Sequence, residues 1–499
     1  MGISVEVQNL GPLESAQIDL GDLNVLVGEN NTGKSFFATV LHCAAASTSA
    51  ARVPGRRDFD EIPGQFRDFV TQLLRLVNSE SQASQALEYR PDESTTEWLR
   101  AISTDLIQTF GRELRRGLAY AYGTTPSELR RKIPAGVAPD SLIRVSNKSS
   151  DTDLMWSVMV GFDPDNSDSE DIDSDGVVVE PPNPITWLGE VLHGDNVAFA
   201  TKFLPAERLG TEPVADDITH TCWRLAIAVG RAVLFNGWPT EAIHLPAQRS
   251  GIVENSGVLA GVALRQLAGV KQLGAAEVRM TGTTADLLAL WLQMDGGPSR
   301  PMPESEFPRL VESLEHRLGA SIELDTEGGG GPTFMAVTPE GRFPLPRASA
   351  MLSELAPLLL AAKHRLEWGH CLTIDEPEAH LHPEVQRQIA SFLVQLATAG
   401  AVVVLTTHSS SFVGQLNNHV RAHALKKLPS LPKGVPTPDI DPATVRALWF
   451  SRTQRGCAAE PIAVDRIDGI DQGVFTGTMR ALHLETASTV NPLLESSVD

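Results

Sequence analysis

Residues 23–42 read LNVLVGENNTGKSFFATVLH, and Gly28 to Ser35 within them fit the spacing Gly, four residues, Gly-Lys-Ser. The apolar run Leu23 to Val27 predicts a buried strand, and Lys34 to His42 predicts the opening of a helix. A turn of this kind between strand and helix aims backbone N–H groups at one point, which suits nucleotide phosphates. The candidate phosphate-binding residues are Gly28, Asn30, Asn31, Thr32, Gly33, Lys34 and Ser35. Lys34 is placed to reach the β- and γ-phosphates, and the Ser35 hydroxyl to ligate Mg²⁺. Asn31 stands where many such loops carry glycine, and asparagine is among the few side chains that accept a left-handed backbone.

A second cluster lies far along the chain, in HCLTIDEPEAHLHPEVQRQIASFLVQL at residues 370–396. Its apolar opening predicts a strand from Cys371 to Ile374 that ends in Asp375 and Glu376. A carboxylate at the carboxyl end of a buried parallel strand is where a nucleotide-binding sheet places its Mg²⁺ ligand, which suits Asp375. Glu376 would then orient and deprotonate the attacking water. A helix from Glu384 to Ala397 leads to a further strand in AVVVLTTHSSSF, residues 401–412, giving a strand-helix-strand crossover. His408, at the end of that strand, is the candidate γ-phosphate sensor. His380 and His382 also invite a metal reading, but Pro377 and Pro383 make their stretch a loop before a helix, which disfavours a metal cage.

The chain has 499 residues, enough for two to four domains, and a formal net charge of −21. That balance does not resemble a protein coated for nucleic acid, so DNA is allowed as a partner but not indicated. No apolar run approaches the length of a membrane span, and the N-terminus lacks a charged-then-apolar leader. Cys43, Cys222, Cys371 and Cys457 are scattered without metal-ligand spacing. A cytoplasmic protein with reduced thiols and no membrane partner is expected.

Three- and four-residue apolar spacing predicts a largely helical insertion over 51–160, in segments such as FRDFVTQLLRLV, TEWLRAISTDLIQTF and PSELRRKI. Residues 161–194 form an acidic, proline-rich linker. Asp171, Asp173, Asp175 and Gly176 copy the start of a calcium loop, but Pro182 stands at its twelfth position. FLPAERLG at 203–210 and HLPAQRSG at 244–251 each read as a strand ending in a turn that presents an arginine. ASIELDTEGGGGPTFMAV reads as a strand pair across its glycines.

GENNTGKS, LTIDEPEAHLHPEVQ and VVVLTTHSSSF together resemble the ATP-binding-cassette (ABC) type of AAA-like ATPase. That group includes the overcoming-lysogenization-defect (OLD) proteins, the RecF and SMC-type heads, and many bacterial anti-phage defence ATPases. The resemblance covers about the first fifty residues and the C-terminal half. It implies an α/β fold, an ABC-type P-loop ATPase head with a mostly parallel sheet, split over 1–50 and 195–499 around the helical insertion.

It also implies ATP and Mg²⁺ as ligands and a homodimer that sandwiches ATP between one phosphate loop and the partner's signature helix. PLPRASAMLSELAPLLLAA supplies the signature candidate, Ser349 ahead of a helix starting near Met351, although Ala350 and Met351 replace the usual glycines. Gln248 is the glutamine-loop candidate, and Arg249 and Arg208 are candidates for charge pairing across the dimer. Asp465, Asp468 and Asp471 are three apart, unlike the Asp-x-Asp of a Toprim nuclease, so no intrinsic nuclease is expected. The leading expectation is an ATP-driven sensor or clamp acting with a separately encoded effector in bacterial defence against phage or foreign DNA. A RecF- or SMC-like clamp in DNA repair or chromosome handling and an ATP-bound scaffold with little hydrolysis are the alternatives.

Overall fold

The computed structural model describes residues 2–50, 62–78, 92–133, 136–137, 141–148, 154–162, 177–180, 222, 225–227, 234–235, 238–255, 281–293, 306–325, 333–426, 434–435, 437–473, 484–485 and 488. The chain begins with β1 (Gly2–Leu10), β2 (Leu13–Asp19) and β3 (Leu23–Gly28), then enters α1 (Lys34–Ala50) through the phosphate loop. Every residue of β3 is buried, with Leu26 packing on one side of the sheet and Leu23, Val25 and Val27 on the other. A strand covered on both faces reads as a continuous apolar run, which is what LNVLVG is.

Two helices follow, α2 (Gly64–Asn78) and α3 (Glu93–Tyr122). The latter is fixed at both ends: Asp92 accepts the Thr95 N–H, and Gly123 closes the helix in the left-handed conformation. The helical reading of the insertion holds for these two helices and changes beyond them. PSELRRKI forms one 3₁₀ turn, Pro126–Leu129, and then enters β4 (Lys132–Ile133), paired with β5 (Gly136–Val137). Next come β6 (Leu142–Lys148), β7 (Leu154–Gly161) and β8 (Val177–Glu180). β6 pairs antiparallel with β1, so residues assigned to the insertion and the linker extend the head's own sheet. The physical reason is alternation: Ile143, Val145, Val158 and Val160 are buried at period two, the signature of a strand. The calcium-like stretch, FLPAERLG and Arg208 lie outside the described residues.

β9 (Ala242–Leu245) runs into the short α4 (Arg249–Glu254), and α5 (Gly282–Gln293) and α6 (Phe307–Leu318) follow. The strand pair across the glycines is present as β10 (Ser321–Asp325) and β11 (Thr333–Thr338), extended by β12 (Gly341–Pro344). Then come α7 (Ala350–His364), β13 (Cys371–Asp375), α8 (Pro383–Thr398), β14 (Val402–Thr407) and α9 (Ser410–Leu425). The last strands are β15 (Val445–Arg452), β16 (Cys457–Ile462), β17 (Val464–Asp465) and β18 (Gly469–Ile470).

Among the described residues eleven strands join in one sheet, ordered β8-β7-β6-β1-β2-β16-β15-β3-β14-β13-β9. From β15 to β9 the pairing is parallel throughout, and β8 to β2 form an antiparallel wing. One core packs α1 and α3 against the sheet, and the other packs α6 to α9 on the opposite face. Gly111 lets α3 cross the wing closely, since a Cβ there would meet Val177 Cγ1 at 2.7 Å and Val158 Cγ2 at 3.0 Å. The parallel register pairs Val27, one residue before Gly28, with Thr407 of β14, and Thr406 with Asp375 of β13, so the carboxyl ends of the three strands share one rim.

Candidate functional site

The phosphate loop owes its shape to three backbone choices. Gly28 ends β3 at φ 150°, where a Cβ would come within 2.2 Å of the Phe450 carbonyl of neighbouring β15. Asn31 adopts φ 57°, as its residue type allows, and Gly33 follows at φ 91°. The Thr32 hydroxyl donates to the Glu29 carbonyl at 2.8 Å, closing the loop on itself. α1 then starts at Lys34 with no acidic residue in its first turn, leaving its positive end to an outside anion.

Lys34 is buried, and its ammonium donates to the carbonyls of Gly28 at 3.1 Å and Glu29 at 2.5 Å. Burial pushes its pKa down to about 8, against the opposing pull of Glu376, Asp375 and Glu378. The three carboxylates come from the end of β13 and the turn that follows it, so the two sequence clusters meet in space.

Asp375 is buried at the end of β13 among three polar side chains. Thr406 Oγ1 donates to Oδ1 at 2.9 Å, His244 Nε2 stands 3.3 Å from Oδ2, and the Ser35 hydroxyl is a further partner. Burial would raise this carboxyl, but His244, Thr406 and Ser35 outweigh it and hold it below the usual carboxylate range. A carboxylate held ionised near a serine hydroxyl is an oxygen donor pair that suits Mg²⁺. These residues therefore fit the metal that the motif implies.

Glu376 turns out of the strand at φ 45°, a left-handed backbone for a residue followed by proline. Its N–H is bound by Thr406, to the carbonyl at 3.1 Å and the hydroxyl at 3.1 Å. The carboxylate is half-exposed, and its Oε1 lies 3.5 Å from His408 Nε2. Burial and the Lys34 ammonium lower the His408 pKa, opposed by Glu376, Glu378 and the Gly28 carbonyl. Burial and Lys34 thus favour the neutral form of the His408 ring.

Gln248 is exposed in the turn after β9, and Ser349 is exposed as the N-cap of α7, where its hydroxyl accepts the Leu352 N–H. The helix begins at Ala350, one residue earlier than the pattern predicts. Arg249 corrects an expectation. It is 1% exposed and forms a buried ion pair with Glu354 of α7 at 2.7 Å, so it is not a dimer-surface charge. Its guanidinium also donates to the carbonyls of Asp375 at 2.7 Å and Glu376 at 3.3 Å. His382 caps α8 through the Glu384 N–H, and His380 is exposed with φ 57°.

Sequence reading missed four members of the site. Glu354 was marked by being the one charge in an apolar helix start, MLSELAPLLLAA. Glu378 accepts the Thr407 hydroxyl at 2.6 Å and the His408 N–H at 2.9 Å, tying the turn after β13 to the end of β14. Only its place two residues after Glu376 signalled it. Nothing in the sequence signalled Thr406 or His244 as partners of Asp375.

Residues 353–413 match the family described as AAA ATPase domain. The matched stretch runs from α7 through Asp375, Glu376 and His408 into α9, so the similarity covers this site. Among solved structures it is similar to an SMC head bound to the C-winged helix domain of ScpA, at 10% identity and TM-score 0.38, covering 93% of this chain and 98% of that one. It is also similar to the SMC head domain from Thermotoga maritima, at 9% identity and TM-score 0.34, covering 93% and 100%. A third is an SMC head with an extended coiled coil bound to the C-terminal domain of ScpA from Pyrococcus furiosus, at 11% identity and TM-score 0.37, covering 97% and 98%. No curated protein matches the chain. No helix among the described residues is long and apolar enough to cross a membrane.

Proposed function

We propose that this protein is a Mg²⁺-dependent ATPase whose hydrolysis runs a dimeric switch. The observation that carries this reading is the meeting of Lys34, Ser35, Asp375, Glu376 and His408 on one rim of the parallel sheet. The loop N–H groups and the Lys34 ammonium hold the β- and γ-phosphates. Ser35 and Asp375 are the residues that would hold Mg²⁺, whose charge offsets that of the phosphate oxygens. Glu376 accepts a proton from water as the water oxygen bonds to the γ-phosphorus and the bond to ADP breaks. His408, 3.5 Å from Glu376, orients that carboxylate and contacts the γ-phosphate.

The switch reading adds a second copy. Ser349 at the exposed N-terminus of α7 would meet the γ-phosphate held by the partner's loop, so ATP joins two heads and hydrolysis parts them. In line with the family resemblance, the switch acts as a sensor with a separately encoded effector in bacterial defence. A net charge of −21 supports a protein partner over a DNA track.

Steady-state ATP turnover by wild type and Glu376→Gln, each with and without duplex DNA, tests this. Turnover lost in the variant and indifferent to DNA supports the sensor. Turnover raised by DNA replaces it with a RecF- or SMC-like clamp. No turnover in wild type removes the ATPase reading and leaves a scaffold.

A further inference from the structure

β9 lies beside β13 in parallel register with His244 opposite Thr373, one pleat before Asp375. Pleating puts His244, Thr373 and Asp375 on the same face, the face covered by α1. His244 is 5% exposed, and its Nε2 stands 3.3 Å from Asp375 Oδ2. To donate there the ring must carry a proton on Nε2, with Nδ1 as its other ring nitrogen. That Nδ1 is buried and has no hydrogen-bond partner among the described residues.

A second histidine backs the first. His42 is 7% exposed on α1, two turns after Ser35 and on the same side of the helix. Its ring lies 5.2 Å from that of His244 at an interplanar angle of 41°, and its Nδ1 is likewise buried without a partner among the described residues. Burial, with the neighbouring His244 ring, pushes the His42 pKa down to about 3, so this ring packs as a neutral wall. The helix that supplies Ser35 thus also supports the ring that touches Asp375.

We propose that His244 is a positioning residue for the magnesium-binding carboxylate, fixing the rotamer of Asp375 through Nε2–H and Oδ2, with His42 bracing the ring from α1. Thr406 already takes Oδ1, so a donor on each oxygen defines the carboxylate plane. Donors behind a ligating carboxylate typically set metal affinity by roughly 10- to 100-fold. The inference rests on the reading of Ser35 and Asp375 as the Mg²⁺ ligands.

The test compares His244→Gln with His244→Met, nearly equal in shape, of which only glutamine keeps an N–H where Nε2 stood. Each full-length protein is titrated with Mg²⁺ at saturating methylanthraniloyl-ATP, following fluorescence, with affinity for the analogue in EDTA measured separately. The Met variant is expected to need about tenfold more Mg²⁺ or beyond, with unchanged analogue affinity in EDTA, and the Gln variant to recover most of the loss. Equal Mg²⁺ requirement in Met variant and wild type overturns the positioning role. A wild type whose signal ignores Mg²⁺ overturns the metal-site reading itself, a separate result. Should the Met variant not fold, ¹⁵N-histidine spectra of wild type decide. A protonated Nε2 on His244 that shifts on adding Mg²⁺ and ATP supports the proposal, and a protonated Nδ1 with bare Nε2 refutes it.

Discussion

Arg249 donates to the backbone carbonyl of Asp375 at 2.7 Å while its other terminal nitrogen pairs with Glu354 at 2.7 Å. One buried guanidinium therefore joins the carboxyl end of β13 to the helix capped by Ser349. Arg249→Ala leaves Glu354 as an unpaired charge in a core where it is 0% exposed. A loss of about 3–5 kcal/mol in urea denaturation is expected. Glu354→Gln should cost less, because a neutral amide can still accept from Arg249. Equal costs would mean that the charge of Glu354, and not the packing of the Arg249 side chain, carries the whole contribution.

Glu376 has φ 45° ahead of a proline, a conformation that costs a residue with a side chain about 1 kcal/mol or more. Glu376→Gly is therefore expected to raise stability by about 1 kcal/mol while turnover falls at least a hundredfold. Glu376→Gln should lose turnover with no such gain. A thermal melt of the three proteins separates backbone strain from chemistry.

Lys34 gives a signed pH prediction. Its pKa falls from 10.5 unfolded to about 8 folded, chiefly by burial. The unfolded chain then binds more protons between those values, so nucleotide-free stability rises with pH from 8 to 10.5 and is lowest below 8. Lys34→Met should stabilise the nucleotide-free protein at neutral pH by about 1–3 kcal/mol and abolish the melting shift that ATP gives wild type. A destabilised Met variant would show that the two carbonyl hydrogen bonds outweigh the cost of burial.

His408 gives the opposite flank. Its lowered pKa, due to burial and then to Lys34, means that the neutral ring contributes stability above the ordinary histidine range. That contribution is lost as pH falls through the lowered value. His408→Gln should flatten the acid limb of the stability curve measured by denaturant between neutral pH and about pH 5. An unchanged limb would assign acid sensitivity to other groups.

The glycine-lysine-serine turn, the Asp-Glu strand end and the histidine strand end were readable because each pairs a local pattern with a reactive residue. Asn31 was readable down to its backbone sign. The wing was not: residues 142–161 look like a continuation of helical sequence until Ile143 and Val145 are paired against β1, a contact between distant segments. Arg249 misled for a related reason. An arginine in a polar turn looks exposed in sequence, and only the packing of α7 shows that Glu354 covers it. His244 has no local mark at all, since its significance comes from lying one strand away from Asp375.

Thr406 assigns different tasks to two adjacent acids. Its hydroxyl holds the Asp375 side chain, whereas for Glu376 it holds only the backbone, and that carboxylate meets His408 instead. A strand from elsewhere in the chain thus fixes the side chain of one acid and only the backbone of the other. Exchanging their order would conserve composition and charge, yet put the longer, looser side chain where rigidity is required and the shorter one where reach is required.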